Sequence, residues 1–190
     1  KLKDAQTATR VSAFKASKAI EVSGASVSTE TKQALEKVAD QQLKRKGRIQ
    51  RPTALLIDKS GSMAVAIELG KRIGAMISAV CEKELYVYAF DTMAYPIERG
   101  GEDLASWERA LAGITAGGGT SCGCALETMR LKKQRVEQII LITDEGENTG
   151  PLFVPPLAKY RESLKADPSV LIVRTPGATS GLETQCRNAG

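Results

Sequence analysis

The chain has 190 residues, of which 42% are hydrophobic, and its formal net charge is +5. That length suffices for one domain with a substantial core and an appendage, and no apolar run is long enough to cross a membrane. The sequence contains no histidine, which excludes Ser-His-Asp catalysis, Cys-His catalysis and histidine-ligated zinc. The spacing of Cys81, Cys122, Cys124 and Cys186 matches no zinc module, so we expect four reduced thiols in a cytosolic protein.

The positive charge is concentrated near the N-terminus. Residues 1–51 contain 12 Lys/Arg and 5 Asp/Glu, whereas residues 52–190 contain 15 Lys/Arg and 17 Asp/Glu. This asymmetry indicates either an anionic partner, such as nucleic acid, or a solvated helical face. The chain begins with Lys1 and shows no signal-peptide pattern, so we expect it to be a piece of a larger protein.

Two helices are predicted within residues 1–50. The first covers about Asp4 to Ile20, and the second begins at Ser28 or Thr29 and continues to about Lys46. Because two such helices bury little surface alone, we expect them to pack on another part of the protein. We therefore divide the chain into an N-terminal helical segment, residues 1–50, which would be the tail of a larger upstream helical region, and a second domain, residues 51–190.

Strands and helices alternate after residue 51. The predicted strands are Thr53–Ile57, Glu84–Phe90, a short edge strand at Ala94–Glu98, Gln138–Thr143 and Val170–Arg174. The predicted helices are Met63–Glu82, Asp103–Ile114, Thr120–Lys132, Pro155 to about Lys165, and Thr179–Asn188. Alternation with apolar strands predicts an α/β fold, a doubly wound, mostly parallel, Rossmann-like sheet flanked by helices with an N-terminal helical extension. Ligands of such sheets bind beyond the carboxyl ends of the strands.

The helix predicted at Met63–Glu82 has an apolar stripe at Ala66, Leu69, Ile73, Met76 and Val80. It also contains Gly70 and Gly74, four residues apart. Two glycines at that spacing predict a close approach to a neighbouring element. We do not expect a membrane helix dimer, because Lys71 and Arg72 interrupt the segment.

Oxygen-bearing side chains follow two of the buried strands and a glycine-rich loop. Asp58, Ser60 and Ser62 follow the first strand, and they are hard ligands that favour Mg²⁺, Mn²⁺ or Ca²⁺. Thr120 follows three glycines, and Asp144 follows the strand Gln138–Thr143. Taken singly, Thr120 could be a helix N-cap and Asp144 a turn residue. The occurrence of all three motifs at one sheet edge is not expected by chance.

In this arrangement the chain resembles the von Willebrand factor A-type (vWA) domain family. Over residues 52 to about 175 it matches the five-residue pattern of that family's metal-ion-dependent adhesion site (MIDAS), namely Asp58, Ser60, Ser62, Thr120 and Asp144. The resemblance implies that the two serines bind the metal directly, that the threonine does so in a ligand-engaged state, and that the aspartates act through waters or hydrogen bonds. Neutral ligands leave the ion electrophilic, so an open coordination position prefers a partner's Glu or Asp carboxylate. Mg²⁺ suits such a site.

A narrower resemblance is to the Ro/TROVE ribonucleoproteins. It rests on Pro-Thr-Ala-Leu-Leu-Ile-Asp-x-Ser-Gly-Ser-Met, on Gly-Gly-Thr-Ser-Cys and on Ile-Leu-Ile-Thr-Asp-Glu. In that family a helical RNA-binding ring precedes an A-type domain, so residues 1–46 would be the tail of the ring and the full-length protein would bind noncoding or misfolded RNA. A sixth strand usually follows the last helix of A-type domains. Either this sheet is one strand short or the N-terminal segment compensates.

We therefore expect a non-enzymatic, metal-dependent protein-binding module in the cytoplasm, with no membrane partner. The alternatives are an extracellular or surface adhesion domain, RNA binding through the basic N-terminal helices, and a metal-assisted hydrolase. A hydrolase would need a general base, and only Glu145 and Glu147 lie near the motif. We expect both to be solvated loop residues.

Overall fold

A computed structural model of the chain describes residues 29–98 and 101–189. The helix predicted at Asp4 to Ile20 lies outside the described residues. The strands are β1 (Thr53–Asp58), β2 (Leu85–Phe90), β3 (Ala94–Ile97), β4 (Gln138–Thr143) and β5 (Ser169–Arg174). The α-helices are α1 (Thr29–Lys44), α2 (Ile67–Ala79), α3 (Leu104–Leu111), α4 (Cys124–Leu131), α5 (Val154–Leu164) and α6 (Gly181–Ala189), and a 3₁₀ turn at Gly61–Val65 precedes α2.

The strands form one sheet in the order β3-β2-β1-β4-β5. β1, β2, β4 and β5 are parallel, and β3 runs antiparallel at one edge. The central strand β1 is buried along its whole length, as expected for an apolar strand covered on both faces. This confirms the prediction of a doubly wound, mostly parallel α/β sheet. Pro96 lies in the edge strand β3, where a missing backbone donor is tolerated.

Two hydrophobic clusters cover the two faces of the sheet. One joins alternate residues of the strands, such as Leu56 and Leu141, to α4, α5 and α6. The other joins Leu55, Ile57 and Ile140 to α1, α2 and α3. The alternation follows from the two-residue period of a strand. The core therefore lies on both sides of the sheet, and the loops at the ends of the strands are left to build a site.

The region predicted as one helix, Met63–Glu82, is shorter and differently oriented in the structure. Its first turn is the 3₁₀ turn, and Leu69, predicted to face inward, is 37% exposed. The buried face carries Gly70 and Gly74 instead, as the prediction of a close approach requires. A Cβ atom on Gly74 would lie 2.7 Å from Cδ1 of Ile57, so α2 packs directly onto the sheet at this point.

The segment before β1 packs on the rest of the fold. Ala39 belongs to the core cluster of α2 and α3, and Leu43 packs against it, while Ile49 forms a parallel bridge with Cys81. Within the described residues this segment adds no strand beside β5, which is the edge of the sheet. The domain boundary at residue 50 stays a prediction. No helix among residues 29–98 and 101–189 is long and apolar enough to cross a membrane.

Candidate metal centre

The end of β1 places two serine hydroxyls over a buried carboxylate. Asp58 is fully buried, and its Oδ1 accepts a hydrogen bond of 2.8 Å from the backbone N–H of Ser60. This local bond turns the chain sharply, so that the hydroxyl oxygens of Ser60 and Ser62 lie 3.2 Å apart. Two adjacent ligands of an octahedral Mg²⁺ ion, each about 2.1 Å from the metal, are about 3 Å apart. The spacing of the serine pair therefore fits such an ion.

The loop that carries Thr120 is fastened to the loop after β1. The backbone N–H of Gly61 donates to the carbonyl of Gly118 at 2.9 Å, and that of Gly117 donates to the carbonyl of Lys59 at 2.7 Å. Gly118 has a φ of +81°, and an added Cβ atom would lie 3.2 Å from Cβ of Asp91. Glycine at position 118 is therefore required by its backbone conformation and by its close packing against Asp91.

Thr120 itself is 1% exposed and is not part of a helix. Its N–H donates to Oδ1 of Asn148 at 2.9 Å, and its carbonyl accepts from the backbone N–H groups of Asn148 and Thr149. These bonds hold residues 120–123 against the loop after β4, and α4 begins only at Cys124. The prediction that a helix starts at Thr120 was wrong for this reason. The threonine is instead fixed between two loops at the carboxyl edge of the sheet.

Asp144 follows β4 at the same edge and is 8% exposed. Its Oδ1 accepts from the N–H of Gly146 at 3.1 Å. A Cβ atom on Gly146 would lie 3.1 Å from Oδ1 of Asp144 and 3.9 Å from Oγ of Ser62, so Gly146 lies beside both side chains. β4 also contributes Thr143, whose hydroxyl donates to Oδ2 of Asp58 at 2.6 Å. The ends of β1 and β4 are thereby joined through side chains.

The site holds more negative than positive charge. Burial raises the pKa of Asp58, and the nearby charge of Asp144 raises it further, although hydrogen bonds from Ser60 and Thr143 act in the opposite direction. Two cations lie at this edge, but each has another partner: Lys59 pairs with Asp91 and Arg174 with Glu145. Within the described residues no lysine or arginine pairs with Asp58 or Asp144. A divalent cation would balance the two carboxylates.

The donor chemistry also decides which cation fits. In the part of the chain that the structure describes, no group of three His, Cys, Asp or Glu side chains is placed to hold a metal ion. The remaining donors are hydroxyl oxygens, which suit a hard, hydrated ion such as Mg²⁺. The structure thus brings Asp58, Ser60, Ser62, Thr120 and Asp144 to one edge of the sheet. Their role as metal ligands stays a prediction.

Sequence reasoning missed two residues that lie beside this site, Asp91 and Asn148. Asp91, directly after β2, accepts from Lys59 Nζ at 2.5 Å and from the backbone N–H of Met93 at 2.9 Å, and its carbonyl accepts from Ser121. A carboxylate at a strand end is the same signal that revealed Asp58, so Asp91 could have been found. Asn148 carries no comparable signal, because its partner, Thr120, is distant in the sequence.

Glu145 was predicted to be a solvated loop residue, and that prediction was wrong. Its side chain is fully buried, where it pairs with Arg174 and accepts from the backbone N–H of Glu183 near the start of α6. Glu147 is half-buried, and its Oε1 accepts from the backbone N–H of Phe153 at 2.6 Å. Both glutamates therefore act as structural acceptors for neighbouring segments.

No family model and no curated protein matches the chain, but solved structures do. The Ro (RSR) protein of Deinococcus radiodurans aligns over 86% of this chain and 37% of its own, with 17% identity and a TM-score of 0.62. Proximal thread matrix protein 1 from the mussel byssus, with a zinc-occupied MIDAS motif, aligns over 75% of this chain and 47% of its own, with 14% identity and a TM-score of 0.53. An aerotolerance-related membrane protein from Bacteroides fragilis aligns over 65% and 67%, with 20% identity and a TM-score of 0.52.

These similarities concern the fold, since each identity is 20% or lower. The chain spans about a third of the length of the Ro protein and about half that of the mussel protein. The chain has a vWA-like α/β fold.

Proposed function

We propose that the chain is a metal-dependent protein-binding module in which a divalent cation engages an acidic group of a partner. The observation that carries the proposal is the serine pair, 3.2 Å apart, beside two carboxylates that have no cationic partner among the described residues. Mg²⁺ is the preferred ion, with Mn²⁺ and Ca²⁺ as alternatives. The zinc-occupied MIDAS motif of the mussel protein, which has a similar fold, supports the binding of a divalent ion.

Each residue of the site has a role that follows from its contacts. Ser60, Ser62 and Thr120 would supply neutral oxygens, and Asp58 and Asp144 would supply the balancing charge. Asp58 also fixes the first serine, because it accepts that residue's backbone N–H. The bound ion would act as a Lewis acid toward a partner's carboxylate. The bonds between Gly61 and Gly118 and between Thr120 and Asn148 preorganise the loops before the partner arrives.

A hydrolase is the weaker proposal because the acidic candidates for a general base are already engaged. Glu145 is held by Arg174 and the backbone of Glu183, and Glu147 by the backbone of Phe153. The second oxygen of Glu147, Oε2, has no hydrogen-bond partner among the described residues but is buried from solvent. We therefore propose binding rather than catalysis.

We further propose that the module belongs to a Ro-like RNA-binding protein of the cytoplasm. The alignment with the Ro protein covers 86% of the chain, which is more than residues 51–190 alone would give. The similarity therefore extends into the segment before β1. RNA binding by the full-length protein would then depend mainly on sequence outside this chain.

Isothermal titration calorimetry with MgCl₂ tests the metal site. We expect binding by the wild-type chain, loss of binding in Ser60→Ala, and unchanged binding in Ser163→Ala, which alters an exposed serine of α5. The acceptor position is then tested with peptides that carry Glu or Gln at one position, where capture should need both Mg²⁺ and Glu. Equal Mg²⁺ binding by wild type and Ser60→Ala would refute the site, and equal capture of Glu and Gln peptides would refute the proposed partner chemistry.

A further inference from the structure

The amino ends of the parallel strands form a second edge, opposite the candidate metal centre. We call this edge the amino rim and define it as residues 45–52, 80–84, 132–137 and 165–168. Backbone hydrogen bonds join these segments into one surface: Glu82 N–H donates to the carbonyl of Ile49, Glu137 N–H to that of Pro52, and Ser169 N–H to that of Glu137. Since the strands start in register, with Thr53 beside both Leu85 and Gln138, the segments lie at one level.

Charge is divided between the two edges of the sheet. The amino rim contains nine Lys/Arg and four Asp/Glu. At the opposite edge, residues 58–66, 90–93, 115–123, 143–153 and 174–180 contain five Asp/Glu and two Lys/Arg. The positive net charge of the chain is therefore not spread evenly over the folded domain. Within the described residues, positive charge is concentrated at the edge opposite the candidate metal centre.

Most cations of the amino rim have no ion-pair partner among the described residues. Arg48 pairs with Glu82 and Arg135 donates to the carbonyl of Lys165, while Lys132 lies 5.8 Å from the ring centre of Tyr88. The remaining six are exposed and form no ion pair with another described residue: Arg45, Lys46, Arg51, Lys83, Lys133 and Lys165.

The acidic residues of the rim neutralise little of this charge. Glu82 is occupied by Arg48 and Gln50, and Asp167 pairs with Arg161. Glu84 accepts from the hydroxyl of Tyr86. The unpaired cations therefore have few carboxylates left to neutralise them.

Stabilisation of helix ends explains only part of this pattern. Several helices end at the amino rim, and basic residues in a last turn, such as Lys44, interact favourably with the helix dipole. Arg51 and Lys83, however, precede strands. Each lies two residues before the paired residues Thr53 and Leu85, so their backbones lie side by side on adjacent strands, about 5 Å apart. Like charges on directly opposite positions of adjacent strands are destabilising, and a bound anion would reduce that repulsion.

We propose that the amino rim binds the phosphate backbone of a nucleic acid. Four parallel strands at a spacing of about 4.8 Å give a row about 14 Å wide, which is the length along the duplex axis of about four base-pair steps at about 3.4 Å each. Arginine forks such as that of Arg51 suit phosphate oxygens. A membrane is a poorer partner, because Leu131 is the one large apolar side chain exposed beside the described rim. With no exposed aromatic side chain on the described rim for base stacking, binding is independent of sequence.

This inference does not rest on the metal site and is tested apart from it. Fluorescence anisotropy with a short labelled DNA duplex, repeated with an RNA duplex, measures affinity in EDTA at several salt concentrations. Four phosphate contacts predict an affinity loss of about 150-fold between about 50 and 200 mM salt. In Arg51→Gln/Lys83→Gln two contacts are lost, so the slope of log K against log salt should become less steep by about 1.8.

The matched control is Lys37→Gln/Lys159→Gln, which removes the same charge from exposed positions on α1 and α5. Both variants keep residues 1–28, which carry five further Lys/Arg. Any contribution of these cations to binding is therefore the same in both variants, which a truncation would not ensure. An unchanged slope in the control and a reduced slope in the rim variant would support the proposal. Equal losses in both variants would overturn it, as would wild-type binding to phosphatidylserine vesicles that is stronger than binding to either duplex.

Discussion

Replacing Asp58 by Asn should remove the stabilisation by Mg²⁺ while leaving the stability of the metal-free fold nearly unchanged. The carboxylate is fully buried and accepts from Ser60 and Thr143. Burial and the charge of Asp144 raise its pKa. The ionised form of Asp58 is therefore disfavoured when no cation is present. The amide keeps one acceptor for the Ser60 N–H and can donate to the Thr143 hydroxyl. The loss of hydrogen bonds to a charged acceptor lowers the unfolding free energy, whereas the removal of a buried charge raises it, each by about 1–3 kcal/mol.

We therefore expect Asp58→Asn in EDTA to lie within about 1 kcal/mol of the wild type, because the two effects nearly cancel. With free Mg²⁺ at about 100 times its dissociation constant, the wild type should gain about 2.7 kcal/mol of unfolding free energy. The variant should gain almost none. Urea denaturation in the two buffers measures both quantities, provided that the dependence on urea concentration is the same in all samples.

Asp91→Asn provides the matched control. Asp91 is also a buried aspartate at the carboxyl edge of the sheet, but its charge is balanced by Lys59. Its loss should cost about 1–2 kcal/mol in both buffers and leave the gain with Mg²⁺ intact. The reasoning would be refuted if Asp58→Asn kept the wild-type gain, or if both variants lost it equally.

Two further predictions concern packing and thiol chemistry. Gly74→Ala should destabilise by about 1–3 kcal/mol, because its Cβ atom would lie 2.7 Å from Ile57 Cδ1, whereas the nearest atom to a Cβ on Gly70 is 3.6 Å away. Gly70→Ala should therefore be neutral or stabilising by up to about 1 kcal/mol; equal thermal shifts for the two variants would contradict this comparison. Burial raises the pKa of the Cys122 thiol far above its usual value, so it should resist iodoacetamide at mildly alkaline pH. The half-buried Cys186 should react first, and mass spectrometry showing Cys122 modified earlier would refute the assignment.

The strands and the site motif could be predicted because their signals are local. The predicted strand Gln138–Thr143 agrees with β4 at both ends, since an unbroken apolar run fits a strand covered on both faces. Asp58, Ser60 and Ser62 lie within five residues, and a strand end fixes where they point. Such features need no knowledge of the rest of the chain.

The errors arose where distant segments meet. Thr120 looked like the start of a helix, but Asn148, 28 residues later, takes its N–H. The helix predicted from Met63 begins as a 3₁₀ turn, in which Met63 is fully buried and Val65 is 97% exposed. Periodicity could not show this, because the loop after β1 is shaped by its bond to Gly118 rather than by helix propensity.

Glu145 shows how the candidate site is coupled to the edge of the sheet. It follows Asp144 directly, has a φ of +63°, and receives both Arg174 at the end of β5 and the N–H of Glu183 in α6. Thr179 N–H also donates to the carbonyl of Asp144. β5 is the exposed edge of the sheet among the described residues, so without these bonds its end would be held mainly by β4. The acidic loop after β4 therefore does two things: it places Asp144 at the candidate metal centre, and through Glu145 it anchors β5 and α6.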